Sequence, residues 1–170
     1  GTVSNAEYGE YSTSDDIPSL MAISNGTFGD LDNNGQVDLI WGGAGLGFAE
    51  AFASAGTRVD FDHHVSAWDT KTLAFLPGFP QRADDHQFFM NPSVADVSGD
   101  NYPEILSGSG GYYLRAWDHK GQQPEGWPKF TGGWIISSPA VGDLDGDGKL
   151  EVVTANREGY LYAWNTEGSK

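Results

Sequence analysis

Pro139-Ala140-Val141-Gly142-Asp143-Leu144-Asp145-Gly146-Asp147-Gly148-Lys149-Leu150-Glu151-Val152-Val153-Thr154 decides how the rest of the chain is read. A short apolar run enters a loop with acidic groups at loop positions 1, 3, 5 and 9, and a Val/Thr run leaves it. Such runs, bounded by Pro, Gly and Asp, read as strands. The same order occurs upstream in Pro92-Ser93-Val94-Ala95-Asp96, with Pro92 and Pro139 47 residues apart. Other markers share this period. Ala67-Trp68-Asp69, Ala116-Trp117-Asp118 and Ala163-Trp164-Asn165 recur at intervals of 49 and 47, and the prolines of Gly78-Phe79-Pro80 and Gly126-Trp127-Pro128 are 48 apart.

Self-similarity at a fixed period of this length is the signature of a repeat architecture. Each unit gives up to four short antiparallel strands between turn signals. The middle one runs Phe88–Ala95, loop Asp96–Glu104, Ile105–Ser107, turn Gly108–Gly111, Tyr112–Trp117, then Trp127–Phe130. No sustained 3.6-residue apolar period appears, and only Phe48–Ser54 has the pattern of about two helical turns. A four-stranded antiparallel unit at this period predicts a β-propeller blade. A β-sandwich also has closely spaced strands but requires no fixed period. The expected fold is all-β, with about three blades forming a partial propeller whose last blade is incomplete. The expected organisation is one domain over 1–170: an N-terminal arm at 1–17, a unit at 18–80 with an insertion at 42–60, a second at 81–130 and a third, incomplete one at 131–170.

The loops carry the chemistry. The first, Asp30 to Asp38, offers oxygen at positions 1, 3, 5 and 9 through Asp30, Asp32, Asn34 and Asp38; the second through Asp96, Ser98, Asp100 and Glu104; the third through Asp143, Asp145, Asp147 and Glu151. Position 7 adds a backbone carbonyl, of Gln36, Tyr102 or Lys149, so its side chain varies freely. Alternating oxygens converge when such a loop wraps around a point, and a closing carboxylate completes the hard, oxygen-only shell that Ca²⁺ takes. Up to three Ca²⁺ ions are expected. Position 6 is Gly35, Asn101 and Gly148, residues that tolerate a left-handed backbone. The absence of His and Cys from the loops argues against Zn²⁺. An EF-hand closes with Glu at position 12 between helices; here closure is at 9 and a strand-like run follows.

This constellation resembles the FG-GAP family, the repeats of integrin α-subunit propellers and of many bacterial secreted propellers. The matching residues are Phe28-Gly29-Asp30-Leu31-Asp32-Asn33-Asn34-Gly35, Val94-Ala95-Asp96, and Val141-Gly142-Asp143-Leu144-Asp145-Gly146-Asp147-Gly148, within a resemblance that covers roughly residues 18–170. Ser98 and Asn101 depart from the pattern. The resemblance implies a Ca²⁺-binding propeller, often extracellular and often a binding module; it supplies no activity.

Rings typically have four to eight blades, so three units imply that other chains or further sequence complete the propeller. Gly1–Asp16 is a candidate for pairing with such a partner. If the first strand of each unit ends at its acidic loop, those loops share one rim. The opposite rim then holds the extra residues between Trp41 and Trp68, the turn Ser107–Gly111 and Thr131–Trp134. It also holds Arg82, Asp84, Asp85, His86, Arg157 and Glu158, the expected ligand face. On a strand, Asp62 and His64 share one side and His63 takes the other, which allows a His–Asp hydrogen bond or a transition-metal site. His119 reads as a surface residue.

The chain has 170 residues, 24 Asp+Glu against 9 Lys+Arg, and a net charge of −15. That charge repels phosphate backbones, so no nucleic acid is expected as partner. No apolar run is long enough for a membrane-spanning helix, so no membrane insertion is expected. Aromatic residues at 13% supply apolar mass for a core. Cys is absent, which removes disulfides and thiolate chemistry. The opening Gly1 and the lack of a basic-then-apolar leader read as a processed chain or part of a longer one. No G-x-S-x-G or other nucleophile pattern occurs, so no catalytic residue is assigned. Three functional expectations follow: a calcium-binding binding or assembly module outside the cytoplasm (extracellular, cell-surface or periplasmic), a fragment of a calcium-dependent polysaccharide lyase or hydrolase for which a glycan is the candidate ligand, and a structural subunit of a surface assembly. Ten of the 24 acids lie in the three loops, so three Ca²⁺ would bring −15 to −9.

Overall fold

The computed structural model describes residues 19–20, 25–45, 63–85, 87 and 90–165. The arm at 1–17, the helical pattern at Phe48–Ser54, Asp62 and His86 lie outside the described residues, as does most of the insertion. The described residues are all-β, with no helix, and form three antiparallel sheets.

The first sheet contains β1 (Ser19–Leu20), β2 (Thr27–Gly29), β3 (Asp38–Gly45), β4 (His63–Asp69) and β5 (Gln81–Arg82). Both β1 and β2 pair with the same edge of β3, β2 at its start and β1 at its end. The second sheet runs in order β6 (Ser93–Ala95), β7 (Glu104–Ser107), β8 (Tyr113–Trp117) and β9 (Lys129–Phe130). The third has β10 (Ala140–Gly142), β11 (Glu151–Ala155) and β12 (Leu161–Asn165). Up-and-down order recurs in every sheet, so the three are blades of one design. The first strands β2, β6 and β10 lie side by side across the blades.

Side chains alternate between the two faces of a strand, and each face of the middle blade meets a neighbour. Ile105 and Trp117 pack with Leu31, Ile40, Val65 and Ala67 of the first blade. Val97, Leu106, Leu114 and Ala116 look the other way and pack with Val152 and Trp164 of the third. Hence β7 is buried at all four residues, whereas β11 alternates between buried and half-buried. The core is thus two inter-blade layers, each seating a Trp of one blade on small and branched side chains of the preceding one. The Gly-X-Pro elements correspond too, with cis peptide bonds at both Phe79-Pro80 and Trp127-Pro128.

Trp117→Ala or Trp164→Ala should lower stability in urea unfolding by about 3–5 kcal/mol, as for other buried aromatic truncations. Trp68→Ala, at the half-buried counterpart in the first blade, should cost less. Equal losses at all three positions would contradict an inter-blade role for these rings.

Candidate metal centre

Antiparallel pairing fixes where each acidic loop sits. The last residue of each first strand faces the first residue of the second: Gly29 opposite Asp38, Ala95 opposite Glu104, Gly142 opposite Glu151. Loop position 9 is therefore anchored on a strand, and all three loops emerge at the same end of their blades. Position 6 is left-handed in each, with φ of 84° at Gly35, 72° at Asn101 and 85° at Gly148. Position 4 is left-handed as well, at Asn33, Gly99 and Gly146.

The carboxylates shape the loops by accepting backbone N–H bonds. Asp30 accepts from Asn34 and Gly35 at 2.9 and 2.8 Å. Asp96 accepts from Gly99 and Asn101 at 2.7 and 2.9 Å, and Asp143 from Gly146 and Gly148 at 2.7 and 3.0 Å. The position-5 side chains Asn34, Asp100 and Asp147 each accept from the N–H of position 7 at 2.8 Å. The closing carboxylate takes the N–H of position 2: Leu31 to Asp38 at 3.0 Å, Val97 to Glu104 at 2.8 Å, Leu144 to Glu151 at 2.7 Å.

These bonds leave oxygens directed into the loops. In each of the sets Asp30/Asp32/Asp38, Asp96/Asp100/Glu104 and Asp143/Asp145/Glu151, one ligand atom per residue lies within 4.8 Å of the others. Asp147 falls outside its set, and the hydroxyl of Ser98 is engaged with Glu104. Asp38 and Glu104 are completely buried, and Asp38 Oδ1 and Glu104 Oε1 have no hydrogen-bond partner. Glu151 is half-buried. A buried carboxylate oxygen without a partner calls for a proton or a cation. Burial, followed by the charges of Asp32, Asp30 and Asp69, holds the Asp38 carboxyl above the usual range. Burial, with a smaller push from Asp100, does the same for Glu104. The residues therefore fit a hard cation: oxygens only, converging, with two inner oxygens unpartnered.

Among the residues expected on the opposite rim, Asp84 is held by Arg115 in a two-pronged ion pair, with Nε to Oδ2 at 2.7 Å and Nη2 to Oδ1 at 2.6 Å. Asp85 Oδ1 lies 3.8 Å from His63 Nε2. Arg82 pairs in register with His64 at the outer strand. Arg157 stacks 4.8 Å over Trp134, and its N–H donates to the carbonyl of Trp134. Both His63 and His64 are buried. His119 is half-buried and stacks on Tyr102, with ring centroids 4.3 Å apart. The sequence reading omitted Arg115, the partner of Asp84, because a pairing 31 residues away has no local signal. It also omitted the bond from Asn33 Nδ2 to the carbonyl of Asn101, which joins the first two loops at 2.6 Å.

Glu104→Gln should stabilise the cation-free chain at pH 7 by about 1–3 kcal/mol, the cost of an unsatisfied buried group. The pH dependence has the matching sign. A carboxyl raised in the folded state contributes stability that is present below its unfolded value and lost as pH rises through its folded value. The cation-free chain should therefore weaken from acidic to neutral pH, less steeply in Glu104→Gln, as read by urea unfolding.

Residues 96–154 match the family model of the FG-GAP-like repeat. No curated protein matches the chain. The matched segment starts at the first residue of the second acidic loop, crosses the middle blade and ends after the closing carboxylate of the third loop, so the chain carries an FG-GAP-like repeat.

Proposed function

We propose that this chain is a calcium-binding segment of a β-propeller that acts as a binding or assembly module outside the cytoplasm. The carrying observation is the repeated convergence of loop carboxylates, with the inner oxygens of Asp38 and Glu104 buried and unpartnered. Ca²⁺ satisfies a ring of this kind because it accepts six to eight oxygens in flexible geometry, whereas Mg²⁺ demands a smaller, near-octahedral shell. Asp30, Asp32, Asn34 and Asp38, with the carbonyl of Gln36, would hold the first ion. Asp96, Ser98, Asp100 and Glu104, with the carbonyl of Tyr102, would hold the second. Asp143, Asp145, Asp147 and Glu151, with the carbonyl of Lys149, would hold the third. The bound ion supplies charge neutralisation and a fixed loop shape.

An extracellular setting suits this reading, because weak calcium modules are loaded only where the ion is abundant. No helix among the described residues is long and apolar enough to cross a membrane. The binding reading is favoured over the polysaccharide-enzyme reading by Asp84. Both oxygens of its carboxylate are committed to the ion pair with Arg115.

Chelation should lower the melting temperature, and Ca²⁺ but not Mg²⁺ should restore it. One site at a hundredfold excess over its Kd contributes about 2.7 kcal/mol. For a chain of this size roughly 2–4 °C accompanies each kcal/mol, so the shift is within reach of calorimetry. An unchanged melting temperature would remove the calcium assignment.

A further inference from the structure

The bond from Asn33 to the carbonyl of Asn101 joins two stretches of backbone that the candidate ligands also hold. On the first loop, the N–H of Asn34, in the peptide that follows Asn33, donates to Asp30 Oδ1 at 2.9 Å and to Asp32 Oδ1 at 3.2 Å. On the second loop, the Asn101 carbonyl accepts from Asn33 Nδ2 at 2.6 Å. The same peptide unit carries the N–H of Tyr102, which donates to Asp100 Oδ1 at 2.8 Å, and the N–H of Asn101 donates to Asp96 Oδ2 at 2.9 Å. Each end of the bridge thus lies within one residue of N–H groups held by two carboxylates of a converging set. The two loops so joined are those whose closing carboxylates, Asp38 and Glu104, are buried with one oxygen unpartnered.

We propose that Asn33 is a positioning residue that couples the first two calcium sites, so that filling either one favours filling the other. The inference rests on the calcium reading. A cation that draws Asp30 and Asp32 together restrains the Asn33–Asn34 peptide through them, and so fixes the point from which the Asn33 amide reaches across. That amide holds the Asn101–Tyr102 peptide, which leads into the residue whose carbonyl is expected at position 7 of the second loop. The second loop is then partly ordered before its own ion arrives, and less conformational entropy remains to be lost. Linkage makes the effect reciprocal. A net hydrogen bond corresponds to a factor of roughly two to ten in an equilibrium constant, which sets the size of the coupling. Position 4 makes the link one-sided. Asn33, Gly99 and Gly146 are all left-handed there, with φ of 56°, 78° and 81°, and of the three only Asn33 has a side chain to extend. Gly99, the counterpart of Asn33, has none to offer Gly148, the counterpart of Asn101. A Cβ at Gly99 would meet nothing within 4 Å, and asparagine tolerates this backbone, so the same bridge can be built toward the third loop.

Ca²⁺ titration of the 170-residue chain, followed by amide NMR, reads the three loops separately through the N–H groups of Gly35, Asn101 and Gly148. Asn33→Gly gives the first loop the position-4 residue of the other two. It should raise the Kd of the first and second loops about fivefold, with the third loop and the circular dichroism unchanged. Asp32→Ala, which disables the first site, should weaken the second by a similar factor. Adding Asn33→Gly to it should weaken the second no further, whereas a merely structural contribution of Asn33 would add. Gly99→Asn should tighten the second and third loops together. Loops that fill independently of one another, indifferent to both position-4 substitutions, would overturn the coupling alone and leave the calcium reading in place. Amides that ignore Ca²⁺ in all three loops would overturn both.

Discussion

Everything in this chain depends on one blade covering the next. A blade of three to five strands of two to eight residues each has too little apolar surface to stand alone in water. Seating Trp117 on the first blade and Trp164 on the second removes both rings from solvent and seals Ile40, Ala67, Leu106 and Ala116 beneath them. The period in the sequence is the record of that contact. The tripeptide Ala-Trp-Asp recurs because one strand must present a small residue to the following blade and a large ring to the preceding one.

The same contact organises the acidic loops. Position 2 of each loop is aliphatic, and Leu31 and Val97 are fully buried in the inter-blade layers. Their N–H groups hold the closing carboxylates Asp38 and Glu104. Packing therefore draws the closing carboxylates of these two loops inward and strips water from them. Where the layer is uncovered, at Leu144, the closing Glu151 is only half-buried. Local charge repulsion and apolar cover are thus opposed within a few residues, and a cation in the loop would relieve the opposition.

Much of this was legible in the sequence because its causes are local or periodic. The loop positions, the left-handed residues at position 6 and the strand order are set by residues within one repeat. Position 4 was missed because Asn33, Gly99 and Gly146 share no side chain, only a tolerance for positive φ. Contacts fixed by tertiary approach had no signal either. Arg115 meets Asp84 across 31 residues and Asn33 meets Asn101 across 68. The sharing of one edge of β3 by β1 and β2 lies outside the four-strand repeat, so the repeat gave no reason to expect it.

The strand order also sorts charge along the propeller axis. Each blade places its acidic loop at one rim, while Arg82, Arg115 and Arg157 fall toward the other, near His64, Ser107 and Trp134. Among the described residues the negative charge is accordingly concentrated at the loop rim, because Asp84, Asp85 and Glu158 offset the arginines at the other, and the net charge describes the chain incompletely. Cations entering the loops would even out that distribution from its negative end. A charged surface or partner would then orient the loaded and the empty forms differently, without any change in fold.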